Sequence, residues 1–267
     1  MATETVQITQ KSVELSHGRT SYFEGGTGHA VILLHGSGIE QGGADFLPCF
    51  DVLGRDFRVL APNMLGWPPS GTLEGIASFP YLVDFLREFQ DALGLKSSHI
   101  VGVSMGAWIA GILAYESPQR VDKLVITGNP GLYGSPNNRM LSWHSPEDES
   151  VRKWLTEVTR VPGIDSEALL QEKLQGIHTP GVPEAFASLM KHMGTTANRR
   201  RYALERRLPH IQAPTLHLWG KTDPNSDQAE TWQKLTPGSQ LKLVEAGHRL
   251  HVESPVLFSH AVADFLR

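Results

Sequence analysis

Short apolar runs alternate along the chain with longer segments in which apolar residues recur every three to four positions. Six of these runs have the length and the apolar, β-branched character of buried strands. They cover residues 30–34, 57–61, 99–103, 124–127, 215–219 and 240–244. Because strands that alternate with helices usually form a parallel sheet covered on both faces, we predict an α/β protein with a mostly parallel central sheet.

The helical segments lie between the predicted strands. In 81–93 the apolar positions Leu82, Phe85, Phe89 and Leu93 follow the 3.6-residue period that turns one helix face towards a sheet. Further helices are predicted over 105–116, 227–235 and 256–266. An opening hairpin is predicted from 12–15 and 20–23, with His17-Gly18 as its turn.

The strand pattern stops over the 80 residues from 130 to 209, where helical patterns replace it. These patterns cover 151–155, 166–175, 184–193 and 196–207, and Ser145-Pro146 is a candidate cap and first-turn proline for the first of them. Open α/β sheets bind ligands at the carboxyl ends of their strands. We therefore predict a core domain of residues 1–129 and 210–267, with an inserted helical cap, 130–209, above that edge.

A Gly-x-Ser-x-Gly motif, Gly102 to Gly106, connects the predicted strand 99–103 to the predicted helix 105–116. A sharp strand-to-helix turn of this kind exposes a serine hydroxyl at the top of a sheet. The glycines allow a strained backbone and leave room for neighbouring main chain. Ser104 is therefore the candidate nucleophile.

A serine nucleophile needs a base within hydrogen-bond reach and a group that orients the base. Among the 12 histidines, His248 follows the last predicted strand directly, so its loop can carry the imidazole over Ser104. Asp223, on the loop after the preceding strand, is the candidate orienting carboxylate. His251 and Asp227 are the rivals for these two roles, although Asp227 also suits a helix cap.

An acyl transfer also needs N–H donors for the oxygen that becomes negative. The N–H of Met105 is one candidate, because it begins a helix whose dipole favours negative charge. The second candidate is the N–H of Ser37, with that of Gly38 as the alternative, in the small-residue run 35–38. His35 begins this run, and we expect it to bond the backbone of the loop.

The composition narrows the functional classes. The 267 residues carry a formal net charge of −4, which gives no electrostatic reason to bind nucleic acid, and the apolar runs are too short to span a membrane. Cys49 is the single cysteine, which excludes an internal disulfide and a thiolate metal cluster. No basic-then-apolar leader, phosphate loop, metal-ligand spacing or dinucleotide motif is visible. We expect a cytoplasmic protein with no cofactor and no metal.

At four places the chain resembles the α/β-hydrolase superfamily, in the order and spacing of that family. The matching runs are Leu33-Leu34-His35-Gly36, Gly102 to Gly106, Trp219-Gly220-Lys221-Thr222-Asp223 and Ala246-Gly247-His248. The resemblance implies an α/β-hydrolase fold and a serine hydrolase whose triad partners occur in the order Ser, Asp, His. It implies cleavage of a small to medium carboxylic ester or lactone through an acyl-enzyme.

Residues 31–38 and 61–67 also resemble the hydrolases that cleave carbon–carbon bonds in ring-fission (meta-cleavage) products of aromatic degradation. This chain departs from them, because Ile39-Glu40 replaces Pro-Gly, Val103 replaces an Asn and Arg249 replaces a Trp. The resemblance to these enzymes gives the alternative substrate, a vinylogous diketone acid, in which the reacting carbonyl is a ketone. A third possibility, from another class, is a ligand-binding protein on this fold that does not catalyse.

The sequence offers only a few candidates for residues that contact the substrate. Trp67 and Trp108 are candidates for the mouth of the pocket, although both also suit the core. The run Arg199-Arg200-Arg201 in the predicted cap supplies a candidate carboxylate ligand, and we take its middle residue, Arg200, as the representative. The expected partner is a small molecule with an ester or ketone carbonyl.

Overall fold

Within the described residues, which are 5–16, 18–71, 78–128 and 136–267 of the computed structural model, eight strands form one sheet. Their order across the sheet is β1-β2-β4-β3-β5-β6-β7-β8. The strands are β1 (Ile8–Leu15), β2 (Gly18–Gly25), β3 (His29–Leu34), β4 (Phe57–Pro62), β5 (Ser98–Val103), β6 (Val121–Thr127), β7 (Thr215–Gly220) and β8 (Gln240–Val244).

The sheet is mostly parallel, as predicted. Strands β3 to β8 pair in parallel, whereas β1 pairs antiparallel with β2, and β2 pairs antiparallel with β4. All six predicted strands are present, and the predicted hairpin is longer than expected. The last strand, β8, is not buried as predicted: it is the edge strand of the sheet and only Val244 is buried. Its predicted turn residue His17 lies outside the described residues, while Gly18 has a φ of 116°.

Alternate residues of the central strands pack into two apolar cores, one on each face of the sheet. On β3, Ile32 and Leu34 belong to one core, and Val31 and Leu33 belong to the other. All four have no exposed surface, which is typical of a parallel strand covered by helices on both faces. The apolar run that predicted this strand therefore reflects burial on both sides.

The helices cover both faces and fill the segment between β6 and β7. They are α1 (Phe50–Leu53), α2 (Phe79–Ala92), α3 (Met105–Glu116), α4 (Asn138–Leu141), α5 (Asp148–Val158), α6 (Ser166–Ile177), α7 (Val182–Gly194), α8 (Thr196–Tyr202), α9 (Ala229–Leu235), α10 (Leu250–Glu253) and α11 (Pro255–Leu266). In the part of the chain that the structure describes, no helix combines the length and apolar character needed to cross a membrane.

Helices α4 to α8, here called the helical insertion, follow β6 and precede β7. They contact the rest of the chain through buried polar and aromatic groups. Trp154 of α5 donates its Nε1–H to Asp45 Oδ1 at 2.9 Å, and Phe186 of α7 packs edge-on against Trp67 with ring centroids 5.0 Å apart. The predicted domain boundary at 129–130 lies outside the described residues.

Several predicted helix ends differ from the structure, and three of the differences concern a residue whose role was in question. Helix α8 ends at Tyr202 instead of 207, because the Tyr202 carbonyl accepts the indole N–H of Trp108 at 2.7 Å and Ala203 turns to an extended ψ of 136°. Helix α5 begins after Glu147, so Ser145 is not its cap. Asp227 lies within the 3₁₀ helix Ser226–Gln228 and does not cap α9, whose N-cap is Gln228.

Gly106 lies in the first turn of α3, where the helix passes the end of β3. An added Cβ would overlap the Leu34 carbonyl oxygen and lie 2.6 Å from that of His35. Because both atoms are backbone, we expect Gly106→Ala to lower the free energy of unfolding by about 1–3 kcal/mol. Gly111→Ala in the same helix is the matched control, because its Cβ would meet only the flexible end of Leu204. Denaturant unfolding checks the difference, and equal losses would contradict it.

Candidate active site

Ser104 occupies a strained turn at the carboxyl end of β5. Its φ of 53° is the only positive φ of a non-glycine residue among those described. The turn is held by two backbone hydrogen bonds: the N–H of Ser104 donates to Thr127 O at 3.0 Å, and its carbonyl accepts from Trp108 at 3.1 Å. A Cβ on Gly102 would lie 2.6 Å from the carbonyl carbon of Gly106. The motif glycines therefore permit strand and helix to meet closely around the serine.

Asp223 and His248 form a hydrogen-bonded pair on the loops after β7 and β8. His248 Nδ1 lies 2.7 Å from Asp223 Oδ2, and Asp223 Oδ1 accepts the N–H of Asn225 at 2.8 Å. The side chain of Asp223 has no exposed surface, whereas that of His248 is 37% exposed. The carboxylate is thus enclosed behind an imidazole that faces open space.

The protonation of this pair follows from its contacts. Burial by itself would raise the pKa of Asp223, but the hydrogen bonds from His248 and the Asn225 amide outweigh it and hold the pKa below its ordinary value. An ionised carboxylate only accepts hydrogen bonds, so the proton between the two groups is on His248 Nδ1. Nε2 of the neutral imidazole is then left as an acceptor.

The loop that carries His248 is fixed from both sides. Glu253 of α10 accepts the N–H of Gly247 at 2.6 Å and that of Arg249 at 3.0 Å. The imidazole also lies against Gly128, where an added Cβ would be 2.9 Å from Cε1 of His248. Since Gly128 follows Thr127, whose carbonyl holds the N–H of Ser104, the ring is at the same sheet edge as the serine.

Ser104 and His248 line one cavity of about 1000 Å³, together with residues of the helical insertion. The hydrogen bonds among the described residues do not include one between the two side chains. Catalytic hydrogen bonds are often long in a protein without substrate and tighten when substrate binds. The structure therefore brings the three predicted residues to one edge of the sheet, with the Asp–His contact formed.

The candidate oxyanion donors lie at the same cavity. Ser37, Gly38 and Met105 all line it. The N–H of Gly38 donates to Gln41 Oε1 at 3.1 Å, whereas no acceptor among the described residues takes the N–H of Ser37 or of Met105. Ser37 and Met105 are thus the pair with N–H groups available for a substrate oxygen.

The loop of residues 35–42 is held by buried groups. His35 Nε2 accepts the N–H of Met64 at 3.0 Å, so its Nδ1–H donates to Gly36 O at 2.9 Å. This confirms the expected backbone-bonding role of His35. Trp67 donates its indole N–H to Gly38 O at 2.8 Å. Trp67 is fully buried and holds this loop, so it is not one of the cavity-lining residues.

Among the three adjacent arginines, Arg199 lines the cavity and Arg200 is exposed away from it. The predicted Arg200 is therefore not at the cavity, because the phase of α8 turns Arg199, one position earlier, inward. The Arg199 guanidinium lies 4.9 Å from the ring centroid of Trp108, which also lines the cavity. Its Nε is buried without a hydrogen-bond partner in the described residues. Burial lowers the pKa of Arg199, although an arginine remains charged.

The rival base, His251, lies elsewhere. It is 1% exposed and its Nε2 is 3.9 Å from Asp45 Oδ2, inside the core beneath the loop. It belongs to the short helix α10, which precedes the final helix α11. The structure thus places His248, and not His251, beside Asp223.

One group of described residues has the donor types of a metal site. Ligand atoms of His29, His99 and Asp122 lie within 4.8 Å of one another. They occupy the amino-terminal ends of β3, β5 and β6, at the sheet edge opposite the cavity. His29 Nε2 and Asp122 Oδ2 already form a hydrogen bond of 2.8 Å. This group is separate from the candidate active site.

The family is established by comparison with known proteins. The model of the alpha/beta hydrolase family matches residues 31–261, so the chain belongs to that family. The predicted α/β-hydrolase fold and superfamily are confirmed by this match and by the sheet.

Individual relatives are hydrolases of more than one kind. A 2-hydroxy-6-oxononadienedioate/2-hydroxy-6-oxononatrienedioate hydrolase of Burkholderia vietnamiensis is 29% identical over 98% of this chain and 94% of its own. The carboxylesterase YbfK of Bacillus subtilis is 26% identical over 89% of this chain and 80% of its own. A solved meta-cleavage product hydrolase from Pseudomonas fluorescens superposes with a TM-score of 0.75 at 26% identity, covering 96% of this chain and 97% of that one.

Two residues that line the cavity were not predicted from the sequence. Glu40 lines the cavity beside Gly38, and burial raises the pKa of its carboxyl group. Arg139 of α4 lines the side of the cavity that the helical insertion forms. Glu40 was visible as a departure from the Pro-Gly of similar hydrolases, but nothing in the sequence indicated where its side chain lies.

The protonation of His35 gives a test of the loop. Complete burial lowers its pKa to about 4, although Asp45 and the Gly36 carbonyl act in the opposite direction. The unfolded imidazole titrates near 6.5. We therefore expect His35 to stay neutral in the folded protein down to about pH 5, and stability to fall as the pH drops from 6.5 towards 4. A histidine-detected NMR titration, assigned with a His35→Gln variant, measures this; a midpoint near 6.5 would contradict it.

Proposed function

We propose that this chain is a serine hydrolase in which Ser104 is the nucleophile, His248 the general base and Asp223 the group that orients the base. The observation that carries the proposal is the pairing of a strained serine with an imidazole in one cavity. The far nitrogen of that imidazole is held by a buried carboxylate at 2.7 Å. An imidazole fixed in this tautomer is suited to accept a hydroxyl proton.

The reaction follows from these positions. His248 Nε2 accepts the proton of Ser104 as Oγ bonds to the substrate carbonyl carbon, and the carbonyl oxygen becomes negative. The N–H groups of Ser37 and Met105 stabilise that oxygen. The tetrahedral intermediate then expels the leaving group, which takes the proton from His248. A water, deprotonated by His248, attacks the acyl carbon to form a second tetrahedral intermediate. The bond from this carbon to Ser104 Oγ then breaks, Oγ takes the proton from His248, and the acid is released.

The helical insertion serves as the cap in this proposal. Its residues line the cavity opposite Ser104, and the cavity volume of about 1000 Å³ suits a small to medium organic molecule. The first candidate substrate is a carboxylic ester or lactone. One relative, from Bacillus subtilis, is named a carboxylesterase.

Carbon–carbon hydrolysis is the second candidate, because Arg199 presents a cation to the cavity and joins no ion pair among the described residues. A guanidinium in such a place suits a substrate carboxylate. The relative from Burkholderia vietnamiensis is named for dienedioate and trienedioate substrates, which are carboxylates. In that reaction Ser104 attacks the ketone, and the carbon leaving group is protonated as it departs. Val103 and Arg249 remain departures from the usual pattern of such enzymes.

Removal of the nucleophile tests the proposal. We expect Ser104→Ala to reduce turnover of a p-nitrophenyl ester by at least about 10³-fold, because the step that forms the acyl-enzyme is lost. Ser97→Ala, before β5 and far from the cavity, is the control and should keep wild-type turnover. Retained activity in Ser104→Ala would refute the assignment. A wild-type protein that neither turns over substrate nor reacts with a serine-directed phosphonate would instead favour the ligand-binding alternative.

The arginine distinguishes the two substrate classes. If a carboxylate binds at Arg199, Arg199→Met should raise KM for a ring-fission dienoate by about 10- to 100-fold, the loss of a charge-assisted hydrogen bond. KM for a neutral ester should change less than about threefold. Arg200→Met, one position along the same helix, is the matched control. Equal effects of Arg199→Met on both substrates would contradict a carboxylate site.

A further inference from the structure

Lys173 joins the helical insertion to the loop that carries Ser37. It lies on α6, and the whole residue is 5% exposed. Its Nζ donates to Gln41 O at 2.7 Å and to Ile39 O at 3.4 Å. These carbonyls come directly after Gly38, so the ammonium group holds the chain two to four residues beyond the Ser37 N–H.

The position of Lys173 on its helix is unusual for a lysine. It falls in the apolar stripe of α6, beside Leu170, Leu174 and Ile177, all of which are buried. Burying an ammonium is costly unless polar groups surround it. Here two carbonyls accept hydrogen bonds from the ammonium group, and the carboxylates of Asp45 and Glu40 act on its charge. Burial nevertheless lowers the pKa of Lys173 to about 8.

Groups of the core and of the loop itself also hold this segment: His35 Nδ1–H donates to Gly36 O at 2.9 Å, on the peptide unit that carries the Ser37 N–H, and the N–H of Gly38 donates to Gln41 Oε1 at 3.1 Å. Trp67 and the Gln41 backbone N–H hold the Gly38 carbonyl, and Asn63 Oδ1 accepts the N–H of Gly43 at 3.0 Å. Between these two anchors, the Ile39 and Gln41 carbonyls are held by Lys173. This contact comes from the helical insertion, whereas the others come from the core or from the loop itself.

We propose that Lys173 is a positioning residue: by holding the Ile39 and Gln41 carbonyls it sets the place of the Ser37 N–H, and so couples the packing of the helical insertion to stabilisation of the oxyanion. This inference rests on the proposed serine hydrolase function. It deepens that function by adding a residue that touches neither the substrate nor Ser104.

A positioning role and a merely structural role differ in what they change. A displaced oxyanion donor weakens the tetrahedral state more than the bound substrate, so kcat falls while KM stays nearly constant. A boronic acid that forms a tetrahedral adduct with the nucleophile should lose affinity in parallel with kcat. General loosening of the fold would instead lower thermal stability and affect substrate and boronic acid alike.

The experiment compares wild type, Lys173→Met and Lys153→Met, the last being an exposed lysine on α5 that serves as the control. We measure kcat and KM for a p-nitrophenyl ester, Ki for an alkyl boronic acid, and Tm. For Lys173→Met we expect kcat to fall and Ki to rise by about 10- to 100-fold, since a displacement near 1 Å costs up to about that much. KM should change less than about threefold, and the control should match wild type.

A second variant guards against a failure to fold. Lys173→Arg keeps the charge and the N–H donors, so we expect it to fold and to recover part of the kcat and Ki lost in Lys173→Met. The inference is overturned if Lys173→Met keeps kcat and Ki within about twofold of wild type. It is also overturned if Ki and KM change by the same factor. Should wild-type turnover prove independent of Ser104, the proposed function itself fails; Ser104-dependent turnover with an unaffected Lys173→Met refutes only the role of Lys173.

Discussion

The sharp turn at Ser104 is the constraint on which the remaining geometry depends. The serine adopts a φ of 53°, and glycines at 102 and 106 allow β5, α3 and the end of β3 to approach within the space that a side chain would occupy. This strain is tolerated because the N–H of Ser104 is held by Thr127 and α3 is buried in the main core. A hydroxyl group is thereby fixed at the carboxyl edge of the sheet, beside the first N–H of a helix.

The other groups of the site are arranged around that fixed hydroxyl by separate loops. Asp223, enclosed and ionised, fixes His248 from behind, and Glu253 fixes the main chain on either side of that histidine. The loop of residues 35–42 supplies Ser37, and the helical insertion reaches this loop through Lys173. The cavity is lined by Glu40 of this loop and, from the insertion, by Glu147 and the cations Arg139 and Arg199.

Much of the fold could be predicted because burial of a strand or helix determines which neighbouring positions in the sequence are apolar. Strand β3 is apolar at successive positions because both of its faces are covered. The motif around Ser104 can be recognised because the turn requires glycines at positions 102 and 106, where a side chain would overlap main chain. The end of α8 could not be predicted, because the Tyr202 carbonyl is taken by Trp108 from a distant helix. Choosing Arg199 over Arg200 required the phase of α8 against the core. The sequence does show Lys173 as a lysine within the apolar stripe of α6. Its carbonyl partners could not be predicted, because they lie more than 130 positions earlier in the chain.

The most direct test of the account is a crystal structure of the protein after reaction with an alkyl phosphonate. We expect a phosphorus–oxygen bond to Ser104 Oγ. We also expect the phosphonyl oxygen to lie about 2.7–3.1 Å from the N–H groups of Ser37 and Met105, and His248 Nε2 to lie within hydrogen-bond distance of Oγ. A phosphonate bound to another residue, or a phosphonyl oxygen directed into solvent away from both N–H groups, would contradict it.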